Sequence, residues 1–528
     1  MPWANLPLPA IRREVHFGGR VVPCFAERPA DIDAMLRAVC AANPAGDAVI
    51  DDDRRISFAD LDTMASALAA GLTKQGLKRG DRLALLVGNC WQFVAAFLGG
   101  VSAGLIIVPI SVRSQAREIA YILSDCDAAG VVYQAEFAER LPAAGQAPVH
   151  RICVEAGTGD TALDTLLGAP ADFRSPDLAE EDVAVILYTS GTTGDPKRAM
   201  LTHLNIIHSC LHYELCFGLT SADRSLIAVP ASHVTGLVAG ILAPFSVGAA
   251  AILMHRFDAG AFLELAAREA MSFTLMVPAM YNLCLLRAEF QDYDLSAWRV
   301  GGFGGAPMPE STIAALAGKL PNLVLAQAYG ATETASPATL MPLGKNTGRF
   351  TLIDIFISCA DIRVMDDDGR EIALGEAGEI WIAGPMVVPG YWNKPDKSAE
   401  SFVAGFWRSG DIGSIDADGY VRVFDRKKDM INRGGYKVFS AEVENVLSFH
   451  PAVLEVAVVP HPDPVLGEKV HAFVYLKEGA TTEQALKSFC AERLSDYKVP
   501  DYFTFSADPL PRNANGKLIK RALRDLLA

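Results

Sequence analysis

The sequence lacks several patterns that mark common protein classes. Its ten cysteines form no C-x-x-C pair and have mostly apolar neighbours, which predicts reduced core thiols in a cytoplasmic protein. Acidic residues outnumber basic ones, 62 against 47, and the net charge of −15 argues against a general nucleic-acid binder. We find no internal repeat and no low-complexity tract. Because the chain is acidic overall, any phosphate-binding site must depend on a local group of donors and cations and not on a basic surface.

We expect neither export nor membrane insertion. The start, MPWANLPLPAIRR, has prolines where a signal peptide needs a continuous apolar segment. The uncharged run Phe93–Val112 is long enough to cross a bilayer, but Gly99, Gly100, Gly104 and Pro109 interrupt it. We expect a buried helix followed by a short strand there, and no membrane span.

The same run contains Gly100-Val-Ser-Ala-Gly104, which matches the G-x-S-x-G pattern of serine hydrolases. That pattern requires a strand before the serine and an exposed turn at it. Ser102 instead lies among helix-like apolar residues, so a serine hydrolase remains only an alternative.

Length and hydropathy predict a large globular protein of more than one domain. The chain has 528 residues, 51% of them hydrophobic, and a mean hydropathy of +0.22. From about Phe58 to Leu325, apolar strands alternate with amphipathic helices, for example the helix that Asp258 should cap. This alternation predicts parallel sheets covered by helices.

The texture changes near the carboxyl terminus. After about Ile362, short strands are separated by Asp-Gly turns, and a basic polar stretch follows Asp425. We predict an α/β protein with a large N-terminal domain, residues 1–425, made of helix-covered sheets plus a small β-rich subdomain. A small mobile α+β domain, residues 426–528, follows. It carries a slight basic excess, which would suit closure over anionic substrates.

The most informative segment is YTSGTTGDPKRAMLTH, from Tyr188 to His203. An apolar strand precedes it and a helix should begin after Thr202. Glycines let backbone N–H groups face an anion, hydroxyls add donors, and a lysine adds a positive charge. Two residues between the last glycine and the lysine exclude a Walker A loop. The predicted polyphosphate ligands are Thr189, Ser190, Gly191, Thr192, Thr193, Gly194 and Lys197.

This loop resembles the phosphate loop of the adenylate-forming superfamily, which includes acyl-CoA synthetases, aryl-CoA ligases and adenylation domains. Further motifs follow in the family's order: VPASHVTGL at Val229, GGAP at Gly304, YGATE at Tyr329, RSGD at Arg408, DRKKD at Asp425, GGYKV at Gly434 and PRNANGK at Pro511. One departure is Arg198, where the family usually has glycine. It could stiffen the loop or add a phosphate contact.

The resemblance implies an ATP site and a set of catalytic residues. Lys517 would bridge the substrate carboxylate and the α-phosphate, Thr332 would bind the α-phosphate, and Glu333 would be the Mg²⁺ ligand. Asp411 would accept both ribose hydroxyls. The remaining expected nucleotide contacts are Gly304, Gly305, Ala306, Pro307, Tyr329, Gly330, Val423 and Arg426.

The resemblance also implies a second half-reaction with coenzyme A. The C-terminal domain would rotate about a hinge at Lys428. That rotation would withdraw Lys517 and bring up Gly434, Gly435 and Tyr436. Gly435 would leave room for the pantetheine arm, and Tyr436 would line its tunnel.

The acyl pocket should be formed by small, apolar or weakly polar residues. The segment at His233 has no aspartate to hold an amino acid's ammonium group, so an aryl or medium-chain fatty carboxylate is favoured. Arg256 is near this segment in sequence and could pair with a second carboxylate, so malonate-like acids stay an alternative. We assign His233 pocket and gate roles only. The expected pocket residues are His233, Val234, Thr235, Phe303, Gly304 and Ala328.

We therefore predict an AMP-forming acid–CoA ligase that uses ATP, Mg²⁺ and coenzyme A. An enzyme that loads a carrier-protein thiol is the nearest alternative, and a non-catalytic nucleotide-binding protein is the last. Small-molecule substrates are the expected partners, with no nucleic acid, and a homodimer is left open.

Overall fold

The computed structural model describes residues 9–143, 148–157, 159–168, 173–189, 196–341, 343, 354–477, 481–512 and 518–527. Within them, strands assemble into four sheets and helices cover the larger ones. The smallest sheet is an antiparallel hairpin of Ile11–His16 and Arg20–Phe25.

A seven-stranded sheet holds the strands on either side of the predicted phosphate loop. Its members pair in parallel, except for one antiparallel pair at the edge, Val183–Thr189 with Lys197–Thr202. The strands in spatial order are Lys197–Thr202, Val183–Thr189, Ile106–Pro109, Arg82–Leu86, Ala128–Tyr133, His150–Cys153 and Thr161–Ala162.

The largest sheet has 14 strands, parallel at its centre and antiparallel towards the edge that contains the Asp-Gly turns. Along its main path the order is Asp361–Met365, Gly378–Ala383, Phe406–Ile415, Tyr420–Arg426, Asp354–Phe356, Thr339–Leu340, Val324–Tyr329, Val300–Gly304, Phe273–Met276, Arg224–Ile227, Ala250–Leu253, Asp47–Asp51 and Arg54–Ser57; Phe402–Val403 also pairs with Phe406–Ile415.

The fourth sheet lies near the carboxyl terminus and has its own core. Its strands are Tyr436–Val438, Ile431–Arg433, Gly467–Leu476, Val453–Asp463 and Tyr502–Ser506. The helices Ser440–Ser448 and Glu483–Ala491 pack on one face, and Lys520–Arg524 packs on the other. Arg426 still belongs to the largest sheet, so the change of sheet falls between residues 426 and 431.

Helices connect the parallel strands and are capped where the sequence predicts. Asp258 accepts from Ala261 N at 3.0 Å, and Thr202 caps the helix after the phosphate-loop strands. The α-helices outside the terminal sheet are Ile32–Ala42, Phe58–Lys74, Trp91–Ser102, Ala116–Asp125, Leu163–Leu167, His203–Phe217, Ala243–Ser246, Ala259–Arg268, Pro278–Arg287, Glu310–Lys319 and Pro395–Ser401, and a π-helix spans Thr235–Leu242. Short 3₁₀ turns cover Ala135–Arg140, Phe290–Asp292, Thr332–Thr334 and Asp496–Lys498.

Two expectations about the apolar run are confirmed. It folds as the helix Trp91–Ser102 followed by the strand Ile106–Pro109. Ser102 closes that helix, is 1% exposed and donates to Asp33, so no nucleophile elbow forms. Among the described helices, none combines the length and apolarity needed to cross a bilayer. All ten cysteines are buried and free.

Candidate active site

The carboxyl ends of two parallel strands form the centre of the site. Val300–Gly304 and Val324–Tyr329 run side by side, and ligands of open parallel sheets bind beyond such ends. Gly304 is required by packing, because a Cβ there would lie 2.5 Å from the carbonyl oxygen of Ala328. The three residues that follow this strand, Gly305, Ala306 and Pro307, are exposed.

The segment after Tyr329 folds back on itself. A Cβ on Gly330 would lie 1.7 Å from the carbonyl oxygen of Ser336, so only glycine fits. Ala335 and Ser336 adopt positive φ angles of 47° and 106°. Strained backbone of this kind concentrates at functional sites. The close contact at Gly330 and the positive φ angles therefore leave the turn that holds Thr332 and Glu333 little conformational freedom.

Glu333 lies beside two other polar side chains, those of Tyr391 and Lys197. Glu333 is 7% exposed, and its Oε1 accepts a 2.8 Å hydrogen bond from the hydroxyl of Tyr391. Lys197 Nζ donates to the same hydroxyl at 3.2 Å and lies 3.9 Å from Oε1. Burial and the neighbouring carboxylate raise the pKa of Tyr391, so its hydroxyl stays a donor. Thr332 is 6% exposed beside them.

A second polar cluster surrounds Asp411. The hydroxyl of Tyr329 donates to Oδ2 at 2.7 Å, and Arg426 Nε lies 2.7 Å from Oδ1. Arg426 is the cross-strand partner of Asp411, and Val423 lies on the same strand. The carboxylate raises the pKa of Arg426, and burial raises that of Tyr329. Both therefore keep their protons beside an oriented carboxylate.

The loop with His233 is anchored by Asn89, which is 7% exposed. The Asn89 amide accepts from Ala231 N at 2.7 Å. It donates to three carbonyl oxygens at the carboxyl ends of neighbouring strands, those of Ile227, Val229 and Met254, at 3.3, 2.9 and 3.1 Å. His233 Nδ1 accepts from Thr235 N at 3.3 Å, so its other ring nitrogen can carry the proton.

The predicted pocket residues divide between two faces of the largest sheet. Val234 and Ala328 pack in the core cluster on one face, whereas Phe303 packs with Met276 and Trp298 on the opposite face. Alternation along the strand Val300–Gly304 explains the difference, because side chains of adjacent residues point to opposite sides. The Phe303 side chain therefore does not share the space beside Val234 and Ala328.

Charged contacts on both sides surround the predicted hinge. Lys427 Nζ lies 3.4 Å from Oε2 of Glu379, in the largest sheet. Asp429 pairs at 2.9 Å with Arg524 of the terminal helix, whose Nη1 also donates to the Lys428 carbonyl at 3.0 Å. Lys428 itself is exposed and lies between the two anchored neighbours.

The predicted coenzyme A segment is a tight turn with an exposed aromatic ring. Gly434 and Gly435 have φ angles of 58° and 91°, conformations that favour glycine. A Cβ on Gly435 would meet nothing within 4 Å, so backbone conformation explains this glycine better than space does. Tyr436 is 60% exposed and stacks on Tyr497 at 4.7 Å.

Part of the predicted site falls outside the described residues, namely Ser190, Gly191, Thr192, Thr193, Gly194 and Lys517. Thr189 is described, and it lies opposite Lys197 in the antiparallel pair. Sequence reasoning missed Tyr391 and Asn89. A tyrosine after Pro389-Gly390 and an asparagine after a buried strand were the available signals, but neither has a spacing that predicts its distant partner.

Comparison with known proteins agrees with this geometry. The AMP-binding enzyme family matches residues 36–392, and its C-terminal domain family matches residues 442–517. The chain belongs to the AMP-binding enzyme family. The predicted resemblance, the fold class and the prediction of an enzyme are thereby confirmed.

Similar proteins of this family extend over nearly the whole chain. A long-chain-fatty-acid–CoA ligase of Mycobacterium tuberculosis, FadD13, is 34% identical over 504 residues, covering 94% of this chain and 98% of the relative. The anthranilate CoA ligase AuaEII in complex with anthranoyl-AMP superposes with a TM-score of 0.89 at 25% identity, covering 95% and 98%. ATP-bound MatB from Rhodopseudomonas palustris gives 0.87 at 29% identity, covering 94% and 99%.

Proposed function

We propose that this protein is an ATP-dependent, AMP-forming acid–CoA ligase for an aryl or medium-chain fatty carboxylate. The observation that carries the proposal is the meeting of Lys197, Tyr391 and Glu333 at the sheet edge that also holds Tyr329. A cation, a fixed hydroxyl and a buried carboxylate within hydrogen-bonding reach suit a polyphosphate and its metal ion.

The two polar clusters would divide the nucleotide between them. Lys197 and Thr189 would bind the outer phosphates, while Asp411, held by Tyr329 and Arg426, would accept the ribose hydroxyls. Glu333 would hold Mg²⁺, since a buried carboxylate is a hard oxygen ligand. When bound, the ion would neutralise phosphate charge.

In the first step, a carboxylate oxygen of the acid would attack the α-phosphorus. The bond to the bridging oxygen of pyrophosphate would break, leaving an acyl adenylate. Thr332 and Lys517 would stabilise the charge that builds on the α-phosphate. Preorganised positive charge at such a position typically contributes on the order of 10²–10³ in rate.

In the second step, the thiolate of coenzyme A would attack the acyl carbonyl and AMP would leave. We propose that residues 426–528 form the moving domain and residues 1–425 the fixed one, with the hinge at Lys428. Gly434, Gly435 and Tyr436 would then border the path of the pantetheine arm. The exposed ring of Tyr436 supports this role.

The acid would lie beside Val234 and Ala328, below the loop that Asn89 holds. Apolar walls on that face favour an aryl or alkyl chain. The names of the similar ligases, one for long-chain fatty acids and one for anthranilate, support both classes. Ten buried, free cysteines support a reducing compartment, for which we propose the cytoplasm.

The test supplies ATP, Mg²⁺, coenzyme A and a panel of aryl and C4 to C16 acids. We expect AMP, pyrophosphate and an acyl-CoA thioester detected by mass spectrometry. Lys517→Ala should lower the rate of adenylate formation by about 10²–10³. Release of ADP would contradict the proposal, and product only with a phosphopantetheinylated carrier protein would indicate the carrier-loading alternative.

A further inference from the structure

Arg198 occupies a buried position behind the candidate site. Its side chain is 2% exposed, although it follows the half-exposed Lys197 on the same edge strand. Successive strand residues point to opposite faces, so the two cations diverge. The guanidinium pairs with Asp125 and donates to Tyr121, both on the helix Ala116–Asp125. Its side chain therefore turns away from the face that Lys197 occupies.

Asp125 also binds the neighbouring strand. The hydroxyl of Tyr188 donates to Asp125 Oδ2 at 2.6 Å, and Tyr188 lies opposite Arg198 in the antiparallel pair. One carboxylate thus joins the two strands that flank residues 190–195.

The backbone of Arg198 extends this connection to Glu333. Its carbonyl oxygen accepts from Trp392 N at 2.8 Å, and Ala199 forms a bridge with Tyr391. Tyr391 is the residue whose hydroxyl contacts both Lys197 and Glu333. Arg198 therefore lies directly behind the two side chains that orient that carboxylate.

Stability alone is a poor explanation for this buried charge. Removing an ion pair from water is expensive, and a well-packed apolar pair is often at least as stable. Moreover, Nη1 of Arg198 has no hydrogen-bond acceptor among the described residues. The resemblance gives glycine at this position, which would avoid the penalty altogether.

We propose that Arg198 is a positioning residue for ATP binding. It fixes Lys197 by tying the strand Lys197–Thr202 to Asp125, and it fixes Tyr391 because residues 391 and 392 pair with the backbone of that strand. The inference rests on the proposed function, because it concerns the same nucleotide site. It predicts that loss of the Arg198–Asp125 ion pair weakens ATP binding. Binding of the acid should change little, because other strands form the acid pocket.

The experiment compares Arg198→Met, Asp125→Leu and the double variant in the full chain. Affinity for a non-hydrolysable ATP analogue is measured by calorimetry, together with KM for ATP and for the acid. Replacing both partners removes the unpaired charge, so the double variant should fold even where a single variant does not. We expect a roughly 10-fold weaker ATP affinity, as for a small misplacement of a binding group, with KM for the acid changed less than about twofold.

Arg299→Met is the matched control. Arg299 pairs with Asp223 at 2.7 Å at the amino ends of the strands, away from the site. It should lower stability without changing ATP affinity. The proposal is overturned if the double variant binds the analogue as tightly as the wild type does, or if Arg299→Met weakens binding equally. Failure of the proposed function is a separate result, in which the wild type binds ATP but forms no AMP.

Discussion

The hydroxyl of Tyr391 donates to Oε1 of Glu333 at 2.8 Å, although 57 residues separate the two in sequence. The same hydroxyl receives a 3.2 Å hydrogen bond from Lys197. Tyr391 is 3% exposed and its ring is fixed against Phe402. The orientation of the proposed metal ligand thus depends on a side chain that itself need not contact the nucleotide.

Tyr391→Phe removes this hydroxyl and keeps the ring. A hydrogen bond to a charged group contributes about 1.5–3 kcal/mol, so we expect a loss of roughly 10- to 150-fold in kcat/KM for MgATP. The Mg²⁺ concentration needed for half-maximal rate should rise. Tyr293→Phe, outside the site, is the control. An unchanged Mg²⁺ dependence would show that Tyr391 does not orient Glu333.

Asp411→Asn tests the second cluster. The amide keeps the size of the side chain but loses the charge that pairs with Arg426. We expect AMP affinity, measured by calorimetry, to fall by about 1.5–3 kcal/mol. Tyr329→Phe removes a single donor to the same carboxylate and should have a smaller effect. Equal losses in both variants would argue against a direct ribose contact.

Asn89→Ala should uncouple acid binding from nucleotide binding. The change removes the Asn89 partner of the Val229 and Met254 carbonyl oxygens and of the Ala231 N–H, and each such group costs about 1–3 kcal/mol if unsatisfied. The Ile227 carbonyl oxygen keeps its hydrogen bond from Met254 N. The free energy of unfolding should fall, and KM for the acid should rise more than KM for ATP. Asn43→Ala removes one hydrogen bond, to Gly248 O, and is the control. A proportional rise in both constants would indicate general damage.

Gly330→Ala should abolish adenylate formation. The new methyl carbon would lie 1.7 Å from the Ser336 carbonyl oxygen, so the turn must open. Gly318→Ala is a matched change within the helix Glu310–Lys319, where a Cβ meets nothing within 4 Å. It should stabilise the protein by about 0.5–1 kcal/mol. Pyrophosphate exchange and thermal unfolding distinguish the two, and wild-type exchange in Gly330→Ala would refute the steric argument.

His208 should make the protein sensitive to acid. Burial lowers the pKa of His208 to about 3, and the ring is held neutral because Nε2 accepts from Phe25 N while Nδ1 faces Leu204 O. The unfolded chain takes up this proton near the ordinary pKa of about 6.5. The stabilisation is therefore complete above pH 6.5 and falls by about 1.4 kcal/mol per pH unit towards pH 3. His208→Gln should reduce this slope in denaturant titrations, and an unchanged slope would assign it to other groups.

Local patterns predicted much of the fold. The cap residues Thr202 and Asp258 and the break in the apolar run depend on neighbours in sequence, and each is found in the structure. The meeting of Tyr391 with Glu333 depends instead on how two sheets pack, which no local spacing encodes. The side of the sheet on which Phe303 lies required the exact strand register. Arg198 is the clearest case. The sequence left both a stiffer loop and a phosphate contact open, and the alternation of the strand places the side chain on the buried face, behind the site.

In the domain rotation that we propose, the contacts on either side of Lys428 would confine the movement to very little backbone. Lys427 forms an ion pair with Glu379 of the largest sheet, and Asp429 forms one with Arg524 of the last helix. At the hinge that we propose, torsion about Lys428 alone would reorient the roughly one hundred residues that follow it as one body. Such a short hinge would limit the direction of the rotation as well as its range. We therefore expect that inserting one glycine beside Lys428 would let residues 429–528 adopt a wider range of orientations.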